Sequence, residues 1–151
     1  MKRALGLVLV AAATAAAQPR DVAGWANTRW GMTAPQLRKL YPQAKTEKRE
    51  GLLLEDSDAA GVRCAVFLKF GDDDKLASVI LTPKEMTRQS TEGLIKGLSE
   101  KYGRPTSREE YVRTWTFTST SISLSFFFLE GKKTGLVLLT YQRPEATQPG
   151  L

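Results

Sequence analysis

The sequence predicts an α+β fold in which two helix-strand-strand-strand repeats form one antiparallel sheet with the helices on one face. Two segments carry the start and stop signals of helices, and several others alternate apolar and polar residues as half-buried strands do. The two halves of the chain also match each other when one is shifted by 60 residues. At 151 residues the chain is long enough for one domain with a core.

The two helices are predicted from their ends. Thr33 and Gln36 have the spacing of a capping box, and Pro42 stops the first helix within about two turns. The second helix ends at Gly103, which suits a left-handed cap. Its start, near residue 83 or near residue 88, stays open. Its apolar positions recur at helical spacing at Leu94, Ile95, Leu98 and Tyr102.

The strands are predicted from alternation with a period of two. Apolar residues recur at every second position from Val62 to Phe70, and the same pattern runs from Ile122 to Phe128. A glycine turn follows each stretch, and another apolar strand comes after the turn. One earlier strand is expected in each half, near Gly51–Glu55 and near Tyr111–Phe117.

The match between the two halves indicates an internal repeat. At a shift of 60 residues Val62 falls on Ile122, and the turn residue Gly71 falls on Gly131. The predicted repeats span about 28–82 and 83–143.

Residues 1–17 have the features of a secretory signal peptide. A basic start precedes an apolar run that is too short for a membrane span, and Ala15–Ala17 supplies the small residues that signal peptidase reads. We therefore expect a bacterial chain that is periplasmic or secreted and has no transmembrane helix after Gln18. The single domain is expected to cover 18–143, and 144–151 is expected to be a flexible tail.

The composition excludes several kinds of catalytic site. Without histidine the chain has no Ser-His-Asp triad, no Cys-His dyad and no histidine zinc site, and its one cysteine forms no internal disulfide. Cys64 falls in a predicted inward row and is interpreted as a buried apolar residue. Asp72-Asp73-Asp74 lacks the spacing of an EF-hand and is interpreted as a solvated turn. We predict neither a cofactor nor a metal.

A carboxylate-based hydrolase is the second alternative function. Glu55, Asp56 and Asp58 would supply the two carboxyl groups that glycosidic chemistry requires. Nothing in the sequence places them in a cleft, and the preferred interpretation is an acidic loop between strands. We therefore expect that the chain is not an enzyme.

The net charge of +6 raises the question of a polyanionic partner. The basic residues are dispersed along the chain, and the predicted export removes nucleic acid from the available partners. The first alternative function is accordingly association with anionic lipid or glycan in the cell envelope.

The outer face of the predicted sheet is the expected binding surface. Phe67 and Phe127 match between the two repeats and point to the face that the helices leave free, with Arg63 and Lys69 as polar neighbours. We expect these four residues to bind a protein partner in the envelope or outside the cell.

Two alternatives for this face stay open. The N-terminal segment that carries Trp25 and Trp30 would cover it in the first. A second subunit would cover it in the other, as a homodimer.

Two short motifs resemble those of a known family. Thr28-Arg29-Trp30-Gly31-Met32-Thr33, which runs into a short helix, resembles the opening of exported bacterial domains related to the β-lactamase inhibitor protein. Lys101-Tyr102-Gly103-Arg104-Pro105 resembles the end of their second helix, and the small lipoprotein of the outer-membrane barrel assembly machinery has the same broad architecture. The resemblance implies a helix-backed antiparallel sheet whose free face binds another protein. The lipoprotein's anchoring cysteine and the inhibitor's paired cysteines are absent, so inhibition of an enzyme is not implied.

Overall fold

The computed structural model describes residues 19–48 and 50–144. The predicted signal peptide at 1–17 and all of the predicted tail at 144–151 except its first residue lie outside these residues. No helix in the described part of the chain is long and apolar enough to cross a membrane.

The predicted α+β class is confirmed: the described residues form two helices and one eight-stranded antiparallel sheet. The first half contains α1 (Ala34–Leu40), β1 (Lys45–Glu47), β2 (Gly51–Ala59), β3 (Val62–Phe70) and β4 (Leu76–Pro83). The second half contains α2 (Arg88–Tyr102), β5 (Ser107–Arg108), β6 (Val112–Thr116), β7 (Ser121–Phe127) and β8 (Leu136–Gln142). The strand order β1-β2-β3-β4-β8-β7-β6-β5 places β4 beside β8 at the centre.

Four strands follow each helix, so the prediction of three is wrong. The additional strands, β1 and β5, contain three and two residues, and all their side chains are exposed. Segments this short cannot show the alternation from which strands are predicted. They form the two edges of the sheet, where short strands limit pairing with other chains.

Helix α2 begins at Arg88, which settles the start that the sequence left open. The earlier start is excluded because β4 continues through Pro83. Thr87 is the N-cap, and its hydroxyl accepts a hydrogen bond from the backbone N–H of Ser90 at 3.0 Å. Helix α1 follows Thr33, as predicted.

Alternation along the strands divides the sheet into two faces. In β3, Cys64, Val66 and Leu68 have no exposed area, whereas Arg63 and Lys69 are exposed. We call the buried apolar side chains of the strands the inner row. It consists of Leu52, Leu54, Cys64, Val66, Leu68, Leu76, Val79, Leu81, Trp115, Ile122, Leu124, Val137, Leu139 and Tyr141.

Residues of both helices share a buried cluster with the inner row. The helical members of that cluster are Leu37, Leu94, Leu98 and Tyr102. The hydroxyl groups of Tyr102 and Tyr141 are hydrogen-bonded at 3.2 Å, and the Trp115 indole N–H donates to the Gly103 carbonyl oxygen at 2.8 Å. These pairings offset the cost of burying the polar atoms at the end of α2.

Helix α2 approaches the β2–β3 hairpin closely at Gly97. A Cβ atom added at Gly97 would lie 2.2 Å from the Cβ of Ala60, which is too short for two carbon atoms. One turn earlier, a Cβ added at Gly93 would lie 3.5 Å from Cγ2 of Val62, an ordinary contact. Both glycines therefore lie on the same helix one turn apart, but only Gly93 has space for an added methyl group.

We expect the free energy of unfolding of Gly97→Ala to be lower than that of Gly93→Ala by about 1–3 kcal/mol, the cost of overpacking, because both variants share the gain in helix propensity of about 1 kcal/mol. The control Gly93→Ala makes the same gain without the clash, so it is expected to be neutral or stabilising. Urea denaturation followed by tryptophan fluorescence measures both. Equal stability of the two variants would contradict this packing of α2.

Cys64 lies in the inner row, as predicted, with no exposed area. Its thiol donates a weak hydrogen bond to the Val62 carbonyl oxygen at 3.6 Å. Burial raises the pKa of the Cys64 thiol from 9.0 to about 11, and the negative charge of Asp58 acts in the same direction. Because the thiolate is the reactive form, the buried thiol is inert near neutral pH.

The thiol of Cys64 is expected not to react with Ellman's reagent at pH 8 in the folded chain, and to react fully in guanidinium. Because the folded pKa is raised, the thiol's contribution to stability is complete below pH 9 and is lost as the pH rises through about 11. The loss of stability over this range should therefore be smaller in Cys64→Ala. Rapid labelling of the folded chain at pH 8 would show that the Cys64 thiol is accessible to solvent and would contradict its burial.

Candidate functional site

The strand residues that alternate with the inner row form the outer face of the sheet. Phe67 pairs with Ile80, and Phe127 pairs with Leu136, so both phenylalanines have the outer parity that the sequence predicts. The binding residues predicted from the sequence all lie on this face: Phe67, Phe127, Arg63 and Lys69.

The structure does not bring these four residues into one patch. Phe67 and Phe127 lie three strands apart and four residues apart along the strand direction, which separates them by roughly 19 Å. Arg63 and Lys69 lie toward opposite ends of β3, roughly 20 Å apart. Arg63 is also engaged in an ion pair with Asp56.

Phe127 lies in an apolar groove at one end of the outer face. Tyr111 packs edge-on against it, with ring centroids 5.4 Å apart. Leu136 lies opposite Phe127 on β8, and Leu138 follows on the same face. The groove has a volume of about 490 Å³, and its lining also includes Thr82, Met86, Val112 and Ser125.

The apolar side chains of this groove are unusually exposed. The exposed fraction is 45% for Phe127, 68% for Leu136 and 42% for Leu138, and 46% for the neighbouring Tyr111. Covering apolar surface is favourable by roughly 25 cal/mol per Å². A molecule that covers the groove therefore gains free energy from each of these side chains.

The outer side of strands β4, β8, β7 and β6 carries no charged residue at any position within these described strands. We call this surface the uncharged face. Charged residues make up 25% of the chain, so their absence from the outer side of four adjacent strands is a distinct chemical feature. The uncharged face consists of Ser78, Ile80, Thr82, Leu136, Leu138, Thr140, Gln142, Ser121, Ser123, Ser125, Phe127, Val112, Thr114 and Thr116.

Contacts outside the groove hold the β7–β8 connection, which joins Phe127 to Leu136. The Arg88 side chain, at the start of α2, donates to the carbonyl oxygens of Lys132 at 3.2 Å and Leu129 at 3.3 Å. Gly135 leaves no room for a side chain, since an added Cβ would lie 2.2 Å from the Phe127 carbonyl oxygen. Contacts within the chain therefore hold the segment between these two groove residues.

The three carboxylates considered for hydrolysis lie in strand β2, so their interpretation as a loop is wrong. Glu55 forms an ion pair with a lysine of β1 at 3.0 Å, and Asp56 pairs with Arg63. Asp58 accepts a hydrogen bond from the Gly61 backbone N–H at 2.8 Å in the hairpin turn. All three carboxylates are exposed, and each is engaged by a cation or an N–H group.

The aspartate triplet lies in the β3–β4 turn, as predicted. The Lys75 backbone N–H donates to Oδ1 of Asp73 at 3.2 Å, which closes part of the turn. Across residues 19–48 and 50–144, no group of three or more histidine, cysteine, aspartate or glutamate side chains is arranged to hold a metal ion.

The N-terminal tryptophans pack into the core, so the alternative in which they cover the outer face is wrong. Trp25 is buried in the cluster that contains the inner row and stacks on Tyr41, with centroids 6.1 Å apart. Trp30 packs against the same cluster, and its indole N–H donates to the Thr120 hydroxyl at 2.8 Å. The alternative of a second subunit stays open.

Apart from Phe127, none of the residues that line the groove is among the four binding residues predicted from the sequence. Leu136 and Leu138 lie on the outer side of an alternating strand, so alternation is a sufficient signal for both. Tyr111 precedes β6, and the alternation of a strand does not predict which way a side chain points when its residue lies outside the strand. A hydrogen bond with Glu110, together with the negative charge of Glu110, raises the pKa of Tyr111 above its ordinary value.

The groove combines exposed aromatic and leucine side chains with an uncharged surround. Such a surface is suited to contact with another molecule, because little charge must be desolvated when it is covered. No family model, curated protein or solved structure matches this chain, so its function is argued from the chemistry of this face.

Proposed function

We propose that this chain is a non-catalytic binding domain that engages another protein through its uncharged face. The observation that carries the proposal is the exposure of Phe127, Leu136 and Leu138, at 42% or more each, on a face without charged residues. Contiguous exposed apolar patches are rare on monomeric proteins and mark interaction sites. The partner is periplasmic or extracellular, as the predicted signal peptide implies.

The groove around Phe127 supplies the anchoring contacts. Phe127 and Tyr111 are aromatic residues beside two exposed leucines, and such residues dominate the energy of protein interfaces when a partner excludes water from them. Phe67 lies on the same face but roughly 19 Å away, so it contacts only a partner that spans several strands. Arg63 and Lys69 lie outside the groove, on β3, and contact the partner only at the edge of the interface.

The proposal includes two finer features of the fold. The helices cover the inner face and leave the outer face available, which is supported by the cluster that joins Leu37, Leu94 and Leu98 to the inner row. The chain consists of two repeats, which is supported by the four strands after each helix and by the symmetric strand order about β4 and β8. Both features agree with the resemblance to exported domains related to the β-lactamase inhibitor protein.

Photo-cross-linking at position 127 tests this function. We expect a chain that carries p-benzoylphenylalanine in place of Phe127 to form an adduct with one defined envelope or extracellular protein, because the probe lies in the groove. The matched control carries the probe at Leu40, which is 40% exposed on α1 and therefore equally accessible but distant from the outer face. Mass spectrometry of the adducts identifies the partner.

Binding of the purified partner then measures the contribution of the groove. Phe127→Ala is expected to weaken binding about 30-fold, the effect of removing an anchor worth about 2 kcal/mol, and Leu40→Ala should change it less than twofold. Equal adducts from positions 127 and 40, or full affinity of Phe127→Ala, would contradict the proposal. Binding abolished by moderate salt would instead indicate association with a polyanion.

A further inference from the structure

We infer that two copies of this chain pack their uncharged faces against each other as a two-fold symmetric dimer. The inference rests on the proposed function in taking this face as an interaction surface. It identifies a second copy of the chain as the protein that covers the face when no other partner is bound.

The distribution of charge supports a second copy as the occupant. The chain has a net charge of +6, so two copies repel each other on average. In a two-fold interface the same patch is present on both sides, and any charge near the axis faces an identical charge. The uncharged face avoids this repulsion across four adjacent strands.

The polar residues of the uncharged face are also self-complementary. Its centre carries hydroxyl groups, among them Thr140, Ser123 and Ser125. A hydroxyl both donates and accepts a hydrogen bond, so it can pair with an identical group across a two-fold axis. Lysine or glutamate at these positions could not do so, since one side chain only donates and the other only accepts.

The uncharged face is large enough for a weak dimer. Strands lie about 4.8 Å apart and rise about 3.3 Å per residue, so the four strands of the uncharged face, at about seven residues each, give a flat footprint of roughly 440 Å². The accessible area of a surface covered by side chains exceeds its footprint. Weak interfaces bury less than about 1,200 Å² in total, or about 600 Å² per partner, which is the scale of this face.

Face-to-face packing also explains the position of the exposed leucine in mid-strand. Leu138 lies between Thr82 and Ser125 on the uncharged face and is 42% exposed. In two sheets packed face to face, side chains at such positions interdigitate and exclude water. Leu138 would then be buried in the dimer interface, where an introduced charge is costly.

Sedimentation velocity of the purified chain from about 1 to about 100 μM tests the dimer, in the concentration range of weak to moderate association. We expect the wild type to reach twice the chain mass as concentration rises, and at lower concentration in high salt, which screens the repulsion between the two positive chains. Leu138→Asp is expected to weaken dimerisation at least tenfold, because each dimer would bury two charges. The control Leu40→Asp makes the same change in net charge at a leucine of similar exposure on α1, and should dimerise like the wild type.

Circular dichroism and urea midpoints establish that each variant is folded. If Leu138→Asp is unfolded, Ser125→Asp replaces it, since that change removes no apolar side chain and has the same expected effect. A wild type that stays monomeric at the highest concentration overturns the inference, as does equal loss of dimer in Leu40→Asp.

The failure of the dimer and the failure of the proposed function are distinguishable. A monomer that still forms a heterologous adduct from position 127 refutes the dimer and leaves the proposed function standing. A dimer whose only adduct from position 127 is with its own copy supports the inference and refutes engagement of another protein.

Discussion

The pairing of β4 with β8 is the interaction on which the rest of the structure depends. Among the described strands, it joins the four that follow α1 to the four that follow α2. Leu81 lies opposite Leu139 on the inner side, and Ile80 lies opposite Thr140 on the outer side. A slip of one residue would carry an entire set of buried side chains to the outer face, so the burial of the inner row fixes the register.

The same alternation produces two outer regions with different chemistry. The region from β1 to β3 carries charged residues, and two of its carboxylates, Glu55 and Asp56, are held in ion pairs. The region from β4 to β6 carries hydroxyl and apolar side chains, with the Phe127 groove at one end. Covering the second region desolvates no ions, so the apolar contacts there are not offset by that cost. The proposed binding therefore uses the second region.

The sequence predicts the elements that have strong local signals and misses those that depend on distant contacts. The strand from Val62 to Phe70 alternates over nine residues and is confirmed in full. The sequence leaves the start of α2 open between residue 83 and residue 88, and the sheet pairing of Pro83 with Cys64 excludes the earlier start. The position of a residue in the alternation of a strand predicts the face of the sheet on which its side chain lies. It does not predict the side chain's neighbours, because these depend on the order of the strands. For this reason Phe67 and Phe127 share a face without sharing a site.

Engineered cross-strand disulfides test the central register most directly. In a Cys64→Ala background, Ile80→Cys combined with Thr140→Cys places two thiols on facing residues of β4 and β8, on the same side of the sheet. Oxidation is expected to form an intramolecular disulfide in this variant and none when Ile80→Cys is combined with Leu139→Cys, whose side chains point to opposite faces. A disulfide in the second variant and not in the first would contradict the register, and with it the assignment of the uncharged face.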